Sequence, residues 1–88
     1  MYDEPYLINP TSRARRDISR LPEAVAWACL EFNAGPLADN PQRVGKALGW
    51  PCAGMHSARR GSYRVILRID EDGHAVEILH IDHRTDRP

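Results

Sequence analysis

Six basic residues fall between Asp39 and Asp70 with no acid among them: Arg43, Lys46, Arg59, Arg60, Arg64 and Arg68. Such a block gives a chain of zero formal net charge one basic face able to hold a polyanion. Eleven of the twelve basic residues are arginine, and Lys46 is the single lysine. A guanidinium is a planar fork that grips a phosphate with two parallel bonds, whereas an ammonium offers a point charge. The arginine ratio alone also fits a GC-rich coding sequence, so the position of the block is the more specific signal. His83, near the end of the chain, is the side chain best suited to titrate near neutral pH as an acid or a base. His80-x-x-His83 with His56 lacks the Cys or carboxylate spacing of a metal site, and no metal is expected. Cys29 and Cys52 are too few for a metal cluster or a dense disulfide framework.

Length bounds what can position these residues. A chain of 88 residues buries only about 60–65% of its unfolded surface. One domain, 1–88, with a thin core and a use for a partner is therefore expected. Hydrophobic residues at 42% and charged residues at 27% are ordinary for a globular protein. No apolar run approaches the roughly 20 residues of a membrane span. Met1-Tyr2-Asp3-Glu4-Pro5 places acids where a secretory signal carries positive charge, so a cytoplasmic location is expected.

The periodicities predict a two-layer α+β fold, with two N-terminal helices packed on an antiparallel sheet. Tyr6-Leu7-Ile8 reads as a first strand. Thr11 or Ser12 caps a helix through Leu21, with Ala14, Ile18 and Leu21 on one face. Pro22 suits the first position of a second helix, where Val25, Ala28, Cys29 and Phe32 form the apolar stripe, and Gly35-Pro36 stops it. Leu37 to Gly54 reads as loop. A strand from Met55 to about Arg59 turns at Arg60-Gly61-Ser62. Tyr63 to Ile69 then alternates, with Tyr63, Val65, Leu67 and Ile69 inward and Arg64, Ile66 and Arg68 outward. Asp70 to Gly73 is a hairpin turn, and Ala75 to Ile81 returns. Cys29 is expected in the core, and Trp27 and Trp50 as packing residues, with an exposed Trp50 beside Lys46 that touches RNA as the alternative. Arg13, Arg15, Arg16 and Arg20 are expected on the solvent side of the first helix.

Read in order, the chain resembles the RelE/ParE superfamily of bacterial toxins, and closely its actinobacterial RelE-like branch. The resemblance rests on Ala14-Arg15-Arg16-Asp17 with Leu21-Pro22, Glu31-Phe32, Gly35-Pro36-Leu37 and Asn40-Pro41. It continues through Arg43-Val44-Gly45-Lys46, Ser57-Ala58-Arg59-Arg60-Gly61, Tyr63-Arg64-Val65 and Asp82-His83-Arg84, from about residue 6 to 86. It implies a microbial-RNase-like fold in which the sheet is twisted, an antitoxin that wraps the toxin, and cleavage of mRNA in the ribosomal A site, with mRNA and the ribosome's 16S rRNA as further partners. ParE-like members instead inhibit DNA gyrase, and a catalytically weak member that mainly binds antitoxin is a further alternative. Carried over by position, Arg64 and Arg84 match the family's phosphate-binding arginines, and Arg59 lies where RelE toxins place basic residues. With His83 these form the expected catalytic set, and Arg60, Lys46 and Arg68 are expected to bind RNA without any cofactor. Met55 and Ser57 stand where the best-known RelE toxins carry lysines, and Pro88 stands where many relatives carry tyrosine.

Overall fold

The computed structural model describes residues 4–83. Its elements run β1 (Leu7–Pro10), α1 (Ser12–Ser19), α2 (Glu23–Phe32), α3 (Pro41–Val44), β2 (Lys46–Ala47), β3 (Met55–Arg60), β4 (Tyr63–Asp70) and β5 (Ala75–His83). The strands form one sheet in the order β1-β5-β4-β3-β2. Three of its four pairings are antiparallel, β3–β4 and β4–β5 as expected and β2–β3 in a stretch read as loop, but β1 runs parallel to β5. The helical hairpin between β1 and the rest of the chain lets β1 lie on the far edge in either direction. Local alternation carries no information about that choice.

The core lies between the inward face of β4–β5 and the helices. Val65, Leu67, Val76 and Ile78 are fully buried, with Ala14 of α1 and Cys29 of α2 completing the contact. Thr11 caps α1, its hydroxyl accepting from the Ala14 N–H at 3.1 Å while donating to the Leu79 carbonyl at 3.1 Å. That one side chain ties the helix start to β5. Helix α1 closes at Ser19, two residues before the expected Leu21. Pro22 stands just outside α2, at its cap.

Gly35-Pro36 does not stop the second helix. The chain continues from Phe32 through a single π-helical turn, Asn33–Leu37, with Pro36 inside it. A proline ring in an α-helix collides with the carbonyl four residues back and leaves that carbonyl without its donor. The wider π turn accommodates both effects, so the helical path survives with a bulge. Its continuation buries Leu37 and Ala38. The stretch expected to be loop likewise holds α3 and the two-residue edge strand β2. Asn40 caps α3 by accepting from the Arg43 N–H, with Pro41 in the first turn.

Strand β5 extends two residues beyond the expected Ile81, and its outer edge there lies past the end of β1. The Asp17 carboxylate of α1 fills that place, accepting from the Ile81 N–H at 3.0 Å and meeting His80 Nδ1 at 2.8 Å. His80 therefore turns to α1. Trp27 and Trp50 are not packed: they are 62% and 87% exposed. Arg13, Arg15, Arg16 and Arg20 are exposed on α1, as expected.

Candidate nucleic-acid interface

Antiparallel register fixes which side chains share the outward face of the sheet. Val65 and Leu67 are buried, so Arg64, Ile66 and Arg68 face away from the helices. Arg59 of β3 stands directly opposite Arg64, and Asp82 of β5 stands opposite Arg64 on its other side. These three form one row across the three strands. The next row contains Ser57, Ile66 and His80, with Lys46 of β2 opposite Ser57. The third contains Met55, Arg68 and Glu77. Lys46 is thus a diagonal neighbour of Arg59, a relationship that spans about 7–8 Å between Cα atoms.

Arg59 and Arg64 make no ion pair among the described residues, and Arg64 is half-buried. Like charges directly opposite on a sheet face repel. An anion set between two guanidiniums relieves that repulsion and receives several donated N–H bonds from them. Arg59, Arg64 and Asp82 also line one small notch of about 30 Å³, together with Gly61 and Ser62 of the β3–β4 turn. Gly61 adopts φ +53°, the left-handed conformation this two-residue turn requires and a side chain resists.

The remaining expected site residues separate. Arg68 lies at the opposite end of the face and is paired with Glu77 at 3.2 Å. Its charge is locally balanced. Arg60 follows Arg59 along β3, so alternation sends it to the helix side. There its guanidinium sits 4.7 Å above the Phe32 ring and lines an apolar cavity of about 570 Å³ with Ala28, Pro36 and Tyr63. Arg60 is therefore not on the face that carries Arg59 and Arg64. His83 is opposite Tyr63, whose side chain is buried, and shares that register position rather than the row of Arg64. Arg84 and Pro88 lie outside the described residues. Met55 and Ser57, at the positions expected of lysines, fall in the outward rows.

Charge states near the site follow from burial and bonding. Burial, reinforced by the nearby Cys29 thiol, pushes the Tyr63 phenol up to about 12, although Arg60 opposes the shift. Tyr63 accordingly keeps its proton and donates to the Ala28 carbonyl at 3.3 Å. Burial pushes the Cys29 thiol up to about 11, even with Asn33 Nδ2 at 3.8 Å from its sulfur. For Asp17, desolvation raises the carboxyl. The Ile81 N–H, His80 and Arg13 outweigh it and hold the group below its ordinary 3.8.

Asp82 is the residue that the sequence did not single out. Alternation alone places it outward, but its proximity to Arg59 requires the register of three strands. Among the described residues, no three His, Cys, Asp or Glu side chains are grouped as metal ligands. No helix there is long and apolar enough to cross a membrane.

Comparison with known proteins agrees with this architecture. Residues 8–88 match the model of the ParE toxin of the type II toxin–antitoxin system parDE. The chain is 53% identical to Toxin RelE of Mycobacterium tuberculosis over 83 residues, 94% of this chain and 86% of the relative. It is 48% identical to Toxin RelG of the same organism, over 93% of this chain and 94% of that one. The solved toxin–antitoxin complex RelBE2 from M. tuberculosis contains a chain that superposes with a TM-score of 0.91 at 46% identity, covering 97% of this chain and 100% of that chain. Helical hairpin, sheet order and sequence thus agree over almost the whole length: the chain belongs to the RelE/ParE superfamily of toxins from type II toxin–antitoxin systems.

Proposed function

We propose that the protein is a ribosome-dependent mRNA endonuclease whose Arg59 and Arg64 hold the scissile phosphate, with Lys46 on the flanking backbone. The observation that carries this reading is the pair of directly opposed, unpaired guanidiniums beside a notch at the end of the sheet. Cleavage of this class starts with attack of a 2′-hydroxyl on the adjacent phosphate. It needs cations for the charge that develops on phosphorus-bound oxygens, and an acid for the departing 5′-oxygen. Two guanidiniums on paired strands meet the first of these needs. Arg84, which follows β5 in the sequence, is the proposed third cation. The departing oxygen takes its proton from water, since His83 shares the register position of buried Tyr63 rather than that of Arg64. Orientation of the message by the ribosome supplies much of the remaining rate. The solved relative was obtained with its antitoxin. An antitoxin partner in the cytoplasm is accordingly part of the proposal.

Primer extension on ribosome-bound mRNA tests the reading, with purified protein beside Arg64→Ala. Cuts within the A-site codon are expected from the wild type. Loss of one preorganised charge donor should lower their rate by about 10²–10³-fold. Antitoxin affinity should change little. Absence of cuts with the wild-type protein overturns the endonuclease reading. The match to the ParE toxin model favours gyrase inhibition as the second reading, for which block of DNA supercoiling is the assay.

A further inference from the structure

The outward face poses a chemical difficulty. Attack by the 2′-oxygen needs a base, and arginine hardly gives up its proton. The other two outward positions on β3, Ser57 and Met55, hold no base either, and the imidazole of His80, in the row of Ser57 and Ile66, is engaged with Asp17 of α1. Every described side chain along the Arg59–Arg64 row is a guanidinium except one. Asp82 is opposite Arg64 and lines the same notch as both arginines, and it is solvent-exposed.

An acid beside a phosphate site is unfavourable for binding unless it serves the reaction, because it repels the anion the arginines attract. It also does not serve as their counter-ion, since no described ion pair joins Asp82 to Arg64. Opposed residues on an antiparallel pair have Cβ atoms about 4.5–5.5 Å apart. A phosphate held by Arg64 therefore brings its attached ribose within reach of the Asp82 carboxylate, directly or through one water.

Building on the proposed endonuclease activity, we infer that Asp82 is the general base of this toxin. The carboxylate takes the proton as the 2′-O–H bond breaks, and the 2′-oxygen forms a bond to phosphorus. The P–O5′ bond breaks, and the 5′-oxygen takes a proton from an acid or from water. The products are a 2′,3′-cyclic phosphate and a 5′-hydroxyl end. Arg59 and Arg64 neutralise the phosphate throughout. The site thus divides its work, with the proton moved by β5 and the charge held by β3 and β4.

The two roles give opposite signs on binding and rate, which makes the test decisive. Asp82→Asn removes the base and also one negative charge beside the phosphate. Single-turnover cleavage of ribosome-bound mRNA should fall by about 10²–10⁴-fold. Association with ribosomes carrying mRNA with a 2′-deoxy nucleotide at the scissile position should stay equal or tighten. Asp82→Glu should restore part of the rate. Cleavage by Asp82→Asn within threefold of wild type overturns the assignment. So does a fall in rate matched by an equal fall in binding or by loss of the folded state, which marks a structural role. If the wild type itself makes no cut, the endonuclease reading fails and this assignment fails with it. If the wild type cuts and Asp82→Asn cuts equally, only this assignment fails.

Discussion

Asp17 is the joint through which α1 holds the strand that ends at the candidate site. Its carboxylate accepts the Ile81 N–H at 3.0 Å and meets His80 at 2.8 Å, and its side chain is only 16% exposed. Asp17→Ala removes both bonds and leaves a strand N–H without its acceptor next to the core residue Ile81. A hydrogen bond to a charged group contributes about 1.5–3 kcal/mol, and an orphaned buried donor costs a similar amount. A loss of about 2 kcal/mol is expected, equivalent to a fall of about 8–16 °C in Tm for a domain of this size. Asp17→Asn keeps an oxygen for Ile81 but not the charge, so it should lose less. The folded-state pKa of Asp17 lies below the ordinary 3.8. The stabilisation is therefore complete at pH values above 3.8 and lost as the pH falls through the lowered folded value. Urea unfolding of wild type and Asp17→Ala between pH 7 and pH 2 measures this. The two stabilities should differ at pH 7 and converge on acidification. Equal stability at pH 7, or a gap that widens in acid, refutes the argument.

Two further outcomes follow from the same structure. Cys52 is exposed, whereas Cys29 is buried with its thiol held up near about 11. A thiolate-specific reagent at pH 8 should modify one thiol per native chain and two in denaturant; rapid reaction of both in the native protein contradicts the packing of α2. Arg64→Ala relieves a like-charge contact with Arg59. It should leave the free protein as stable as wild type or more stable by a few tenths of a kcal/mol, measurable by thermal unfolding; a loss above about 1 kcal/mol would show that Arg64 serves the fold.

The alternation of Tyr63 to Ile69 was enough to turn Arg64 outward, and helical spacing was enough to bury Cys29 and Phe32. Both are properties of neighbouring residues on one element. The same rule, applied to β3, separates adjacent Arg59 and Arg60 onto opposite faces, and grouping them as one basic patch overlooked it. The Asp17 bond to β5 spans 64 residues, so no local pattern announces it. The parallel seat of β1 is similarly a contact between distant segments. The π turn at Asn33–Leu37 was hidden for a different reason. A Gly-Pro pair is a sound stop signal for an α-helix, and only the packing of Leu37 and Ala38 favours continuing past it.

The outward row Arg59–Arg64–Asp82 lies on the opposite side of the sheet from the core that fixes the fold. The inward face of β4 and β5 is committed to the core through Val65, Leu67, Val76 and Ile78. The outward face makes few demands on stability: Arg68 and Glu77 form an exposed pair worth at most about 1 kcal/mol. Substitutions there alter charge and proton chemistry while the sheet stays intact. The repulsion between Arg59 and Arg64 is a cost that the core is able to carry. In the proposed reading, a phosphate ester between the two guanidiniums relieves that repulsion.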